Sequence, residues 1–263
     1  MLSVNTNTGA MLALQYLNKT EGELQTTQTH INSGLKVATA KDDGATFAIA
    51  QNMRGDIAGM GAVKTNLALG QSITNVAIDA GKAVSELLIE MKAKAVQASQ
   101  EGLDSDSYVA LNEEFTSLRA QITSIVATAE FNGKNLIDSA STDLKVLSTV
   151  DGSTITITKQ SIDATTLAIH TATLSNATVA ATALTAISQA IIDVSNALAS
   201  LGSGAKRVDI QAEFTQKLMD IIKQGIGNLV DADLATESAN LQAFQIKQQL
   251  GVQARSEEHT SEL

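Results

Sequence analysis

Residues 111–129 read LNEEFTSLRAQITSIVATA, and residues 184–201 read LTAISQAIIDVSNALASL. In the first stretch Leu111, Phe115, Leu118, Ile122, Ile125 and Ala129 fall on a 4-3-4-3-4 spacing. In the second, Leu184, Ile187, Ile191, Val194, Leu198 and Leu201 alternate steps of three and four. That period puts one narrow apolar seam on each helix, as a coiled coil requires. The seams lie in opposite halves of the chain, so the two ends must find each other and the stretch between them becomes an insert at the far end. The expected fold is mainly α: a long antiparallel helical bundle or coiled-coil rod formed by the N- and C-terminal segments, with a small β-hairpin insert. Rods of this kind more often assemble than catalyse.

Working outward, residues 5–33 carry Ala10, Leu17, Leu24 and Ile31 every seven positions, with Thr, Gln, Asn and Glu between. A stripe this thin buries too little alone and calls for partners. Ser33-Gly34 interrupts it, Lys41-Asp42-Asp43-Gly44 reads as a turn, and Asp43 suits the N-cap of the next helix. Residues 45–100 read as one helix of about 80 Å, with a seam through Leu69, Ile73, Val76, Ala80, Val84, Leu87 and Met91. Asp104 or Ser105 caps a helix over 106–129, and Phe131-Asn132-Gly133-Lys134 is a turn whose Asn-Gly suits positive φ. Thr154–Thr158 alternates with period two after Asp151-Gly152, a hairpin signal. Residues 160–182 are rich in Ser, Thr and Ala and have weak periodicity, which reads as a solvated loop. Helix resumes at about 183 and runs to about 229, softened at Gly202-Ser203-Gly204; a last helix from about 232 carries Leu234, Leu241 and Phe244, then Ile246 and Leu250.

Composition narrows the function. The 263 residues include no Pro, no Cys and no Trp, aromatics are 3%, and the net charge is −10. A chain this long would ordinarily hold roughly a dozen prolines. Their absence removes the main helix breaker and the slow X–Pro isomerisation from folding. Without cysteine there is no disulfide or thiolate chemistry. A chain that must cross a narrow channel unfolded and refold quickly would be composed this way. The acidic balance, with no Lys/Arg cluster, argues against nucleic acid or anionic lipid as partners. The N-terminus has neither a basic region nor an apolar one, so no cleaved secretory signal is expected, and no long unbroken apolar run suggests a membrane span.

No catalytic, cofactor or metal constellation emerges. His30, His170 and His259 are far apart and no HExxH occurs, so solvated histidines are expected. Asp42-Asp43 reads as turn and cap rather than an acid pair, and Asp231 and Asp233 as charges complementing a helix N-terminus. An exported enzyme on a helical scaffold would need a convergent acid or histidine cluster, and a membrane-active toxin an apolar hairpin; neither pattern is present.

Short motifs then align in order. Val4-Asn5-Thr6-Asn7, Ile31-Asn32-Ser33-Gly34-Leu35, Ala40-Lys41-Asp42-Asp43, Ala48-Ile49-Ala50, Lys94-Ala95-Val96-Gln97-Ala98 and Phe131-Asn132-Gly133 occupy the front half. Asp231-Ala232-Asp233-Leu234-Ala235-Thr236-Glu237 and Gln245–Gly251 occupy the back. Together, over 1–138 and 183–254, they resemble bacterial flagellin. The resemblance implies a structural, non-enzymatic subunit that polymerises into the flagellar filament. It implies a filament-core coiled coil from 1–44 and 230–254, a helical bundle from 45–139 and 183–229, and a variable insert at 140–182. Leu17, Leu24, Ile31, Leu234, Leu241 and Phe244 are its expected polymerisation residues. Self-association, an export chaperone, the type III export apparatus, and hook-associated and cap proteins are the implied partners, and the implied location is outside the cell, in the filament. The Ser/Thr run 161–185 is the modification candidate, since flagellins are often O-glycosylated on their outer face, with a plain solvated loop as the other reading. The alternative is the hook–filament junction protein, which shares the terminal motifs.

Two departures stand out. The family continues past the position of Ala254 with an Ala-Asn-Gln stretch and a Leu-rich end, whereas here Arg255-Ser-Glu-Glu-His-Thr-Ser-Glu-Leu263 follows. These residues match the translation of a common sequencing adapter, and 255–263 reads as a non-native tail. In flagellins that Toll-like receptor five recognises well, an Arg and a Leu stand at the positions of Glu90 and Lys94, while the carboxylate matching Glu114 is kept. The two changes reverse a charge and remove an apolar anchor, both of the kind that dominate binding, so weak receptor activation is expected.

Overall fold

The computed structural model describes residues 8–260, with side chains described to Gln253. In chain order the elements are α1 (Thr8–Ser33), α2 (Gly44–Ala98), α3 (Ser105–Thr128), β1 (Glu130–Phe131), β2 (Lys134–Asn135), β3 (Leu144–Leu147), β4 (Thr154–Ile157), α4 (Ala177–Val230) and α5 (Leu234–Thr260). The mainly helical fold expected from the seams is the one observed. The chain divides into two units: Met1–Ile57 with Met219–Leu263, and Ala58–Leu218.

In the first unit α1 packs against α5. Gly34, at φ +71, ends α1 by donating its N–H to His30 O, a conformation glycine adopts without the Cβ penalty. Ala232 N–H then donates to Gly34 O, and Leu35 bridges Asp231, tying the two ends together at the base of the pair. A small core of Val37, Ala50, Ile226 and Val230, flanked by Phe47, Met53, Ile57 and Ile222, holds the start of α2 to the end of α4. This unit therefore reaches past residue 44 and begins before 230.

The second unit buries the seams. On α3, Leu111, Phe115, Ile122, Val126 and Ala129 are buried. On α2 the buried line is Leu67, Gly70, Thr74, Ala77, Gly81, Val84, Leu88, Met91, Ala95 and Ala98. Leu69, expected in that seam, is exposed, and Val76, Ala80 and Leu87 are only partly covered. Small residues occupy the centre of the seam because a neighbour comes close. A Cβ on Gly70 would lie 2.5 Å from Val146 Cγ2, and one on Gly81 2.8 Å from Leu198 Cδ2. On α4 the line is Ala180, Ala183, Ile187, Ala190, Val194, Ala197, Leu201, Gly204 and Val208. The helix is continuous through Gly202-Ser203-Gly204, where softening is expected from sequence, and it starts at Ala177. Among the described helices α4 alone is long and apolar enough to suit a membrane span by composition; Ile187, Val194, Leu201 and Val208 are instead buried in this unit's core.

Two antiparallel hairpins complete the unit. Asn132 at φ 52 and Gly133 at φ 73 form the two-residue turn between β1 and β2, the geometry that follows the strand twist. β3 and β4 pair Leu144 with Ile157 and Leu147 with Thr154. Val146 sits over Gly70 and Ile157 over Gly204, so the hairpin rests in slots that glycine keeps open on α2 and α4. The segment after β4 is not a solvated loop. Ile162, Leu167, Ile169 and Leu174 are buried, Gln160 and Ile162 donate to Leu136 O and Ile137 O, and Leu174 N–H donates to Asn112 Oδ1 on α3.

Candidate self-assembly surface

The α1–α5 pair combines a covered seam with exposed apolar side chains outside it. Leu17 and Thr27 are buried, and Leu24 and Ile31 are half-buried on the same face of α1. On α5, Leu241 and Phe244 are half-buried, and a Cβ on Gly251 would meet Leu17 Cδ1 at 3.3 Å. Leu234, by contrast, is 50% exposed. Of the six expected assembly residues, five thus lie in the seam and one outside it.

Apolar side chains that the seven-residue spacing passes over are left open. Met11, Leu12, Leu14 and Tyr16 on α1, and Ile246, Leu250 and Val252 on α5, are all exposed. Scattered exposed apolar residues need no explanation, but these gather on two paired helices. Leu12 and Tyr16, like Ile246 and Leu250, are spaced four apart, which stacks each pair on one side of its helix.

Polar groups fix the pair in place. His30, expected to be solvated, is half-buried and hydrogen-bonded through Nδ1 to Glu237 Oε1 at 2.9 Å. Asp43 caps α2 by accepting from the amides of Ala45 and Thr46, and Asp233 caps α5 through Ala235 and Thr236. The Thr46 and Thr236 hydroxyls, which donate to these two carboxylates, are the main reason both titrate below the ordinary Asp value. Asp42 is held low chiefly by the Thr39 amide. These aspartates thus act as caps and turn anchors. Among the described residues no cluster of three His, Asp or Glu could hold a metal ion. His259 lies outside the described side chains.

In the second unit Glu90 is exposed on α2, and Lys94 forms an ion pair with Glu114 of α3. The structure therefore joins Lys94 to Glu114, while Glu90 stands one turn before Lys94 on α2.

The profile of the bacterial flagellin N-terminal helical region matches residues 4–142, and that of the C-terminal helical region matches 184–260. Flagellin FljK of Caulobacter vibrioides is 46% identical over 255 residues, covering 97% of this chain and 93% of the relative. A flagellin of Brucella melitensis is 33% identical over 269 residues, covering 97% and 95%. Among solved structures, Bacillus cereus flagellin superimposes with a TM-score of 0.53 at 22% identity, covering 57% of this chain and 88% of that one. A putative flagellar hook-associated protein from Vibrio parahaemolyticus gives 0.60 at 16%, covering 72% and 100%. At these identities both structures speak to the fold alone.

Proposed function

Because the chain belongs to the bacterial flagellin family and is a structural subunit of the flagellar filament, we propose that it polymerises through the α1–α5 pair. In this reading Leu17, Leu24, Ile31, Leu241 and Phe244 hold the two helices together, and Leu234 joins Met11, Leu12, Tyr16, Ile246 and Leu250 in contacting neighbouring subunits. The observation that carries it is the number of apolar side chains left exposed on two helices whose own seam is thin. Identical head-to-tail contacts repeated around an axis give an open helical array.

The remaining assignments follow from this reading. Residues 1–44 and 230–254 serve the filament core, 45–139 and 183–229 form the helical bundle, and 140–182 the insert. Export proceeds in the unfolded state through the type III apparatus, with a chaperone before export and cap and hook-associated proteins at the filament ends. A chain without Pro or Cys refolds without isomerisation or disulfide steps, which supports this route. The hook–filament junction alternative gains no independent support, since the hook-associated likeness is one of fold.

A sedimentation assay tests the surface. Leu12→Ser combined with Ile246→Ser should raise the subunit concentration needed for polymer while leaving helical content unchanged. Polymer formed at the wild-type concentration would remove this face from the contact.

A further inference from the structure

Arg119 of α3 is half-buried, and its Nη1 donates to Ala172 O at 2.8 Å. No carboxylate reaches ion-pair distance of its guanidinium among the described residues. The neutral Ala172 carbonyl solvates this partly desolvated cation without neutralising it. The Arg119 charge borders a cleft of about 320 Å³ between α3 and the 163–170 turn, lined also by Thr116, Thr123, Asp163, Thr165 and His170.

The far wall is built at some conformational cost. Ala168 adopts φ 55, a left-handed conformation that alanine rarely takes. Ala168 N–H donates to Thr165 O, and the amides of Ile169 and His170 both donate to Ala164 O. This closed turn places His170 at the cleft. Non-glycine residues held in such conformations concentrate at ligand sites.

Asp163 shapes the choice of ligand. Its Oδ2 accepts from the amides of Thr165 and Thr166 and its Oδ1 from the Thr166 hydroxyl. Partial burial pushes its pKa up, but these hydrogen bonds outweigh it and hold the carboxyl below the ordinary range, so it is an anion at neutral pH. A carboxylate has about four acceptor positions, and one remains. A simple anion would meet repulsion from Asp163. A molecule with a carboxylate at one end and hydroxyl donors at the other satisfies both walls.

We propose that the cleft between α3 and the 163–170 turn binds an acidic sugar, its carboxylate on the Arg119 fork and its hydroxyls on Asp163 and the threonines. Arg is suited to planar, bidentate carboxylate recognition. The site lies within the second unit and does not depend on polymerisation.

Amide NMR of the soluble full-length chain, titrated with sodium glucuronate at low salt, tests this. Glucuronate should shift the amides of Thr116–Thr123 and Asp163–His170 with a Kd of about 1–10 mM, as expected for a small solvated ligand. Glucose and acetate, each lacking one half of the recognition, should bind at least about tenfold more weakly. Arg119→Gln should abolish the shifts. Arg119→Lys, which keeps a charge and a donor for Ala172 without the fork, should weaken binding several-fold. Absence of shifts at saturating glucuronate, equal shifts with acetate or glucose, or undiminished binding by Arg119→Lys would each overturn the proposal.

Discussion

Gly70 of α2 lies directly beneath Val146 of β3, so close that a Cβ on the glycine would stand 2.5 Å from Val146 Cγ2 and 2.9 Å from Cγ1. Both contacts are below any separation that real Cβ atoms hold. Gly70→Ala must therefore push the hairpin away. Overpacking of this kind costs about 1–3 kcal/mol, against a gain of about 1 kcal/mol in helix propensity. The net effect expected is destabilisation, relieved in part by Val146→Ala. Gly202→Ala on α4, where a Cβ meets nothing within 4 Å, should instead stabilise by up to about 1 kcal/mol. Urea denaturation of Gly70→Ala, Gly70→Ala with Val146→Ala, and Gly202→Ala reads both signs; stabilisation by Gly70→Ala would show that the hairpin is not seated as described.

The left-handed turn at Ala168 offers a converse test. Glycine accepts φ 55 without steric cost, so Ala168→Gly should raise stability by about 0.5–1 kcal/mol despite the added freedom of the unfolded chain. A thermal melt that moves downward would place the residue elsewhere in φ/ψ space.

The helix caps predict an acid limb. Asp43, Asp104 and Asp233 all titrate below the ordinary Asp value, with the first cause in each case a hydrogen bond from the side chain of Thr46, Ser107 or Thr236. A carboxyl with a depressed folded pKa adds stability that is fully present above its unfolded value, about 3.9, and is lost as pH falls through the folded value. Stability should therefore hold from neutral pH to about pH 5 and decline from about pH 4 downward. Asp104→Asn keeps an acceptor for the Ser107 amide, bonded at 2.9 Å in the parent, and should flatten part of that decline in an acid titration followed by circular dichroism. An unchanged acid limb would remove Asp104 from its causes.

How far the fold was legible follows from residue size. On α3 large side chains mark the seam, and Leu111, Phe115 and Ile122 are buried where the spacing puts them. On α2 the expected seam residues Ile73, Val84 and Met91 are buried, but at its centre Gly70, Thr74, Ala77 and Gly81 take the covered positions because close neighbours leave no room for larger side chains, and Leu69, Val76 and Leu87 fall at the flanks. Ile162, Leu167, Ile169 and Leu174 are buried without helical or strand period, because backbone bonds to Leu136 and Ile137 fix them, and no local pattern encodes those bonds. The caps at Asp43 and Asp104 were readable because capping is local. On α5 the apolar positions Ile246 and Leu250 were readable, whereas on α1 the seven-residue reading follows covered residues and passes over Met11, Leu12 and Tyr16.

The Lys94–Glu114 contact bears on host detection. Both side chains are partly exposed, at 33% and 57%, so the pair should add no more than about 1 kcal/mol to stability. It nevertheless engages Glu114, the carboxylate that the resemblance expects at the receptor contact, and Glu90 lies one turn earlier on the same helix. A reporter cell line for Toll-like receptor five should respond weakly, and Glu90→Arg with Lys94→Leu should raise the response. A response to the parent chain as strong as that to an enteric flagellin would refute this.

Polymerisation through α1 and α5 is tested most directly by electron microscopy of the purified chain after seeding with salt-precipitated filament fragments. Elongation of the seeds into long tubes, blocked by Leu12→Ser with Ile246→Ser, is the result expected. Seeds that never lengthen while the subunits remain folded and monomeric would contradict it.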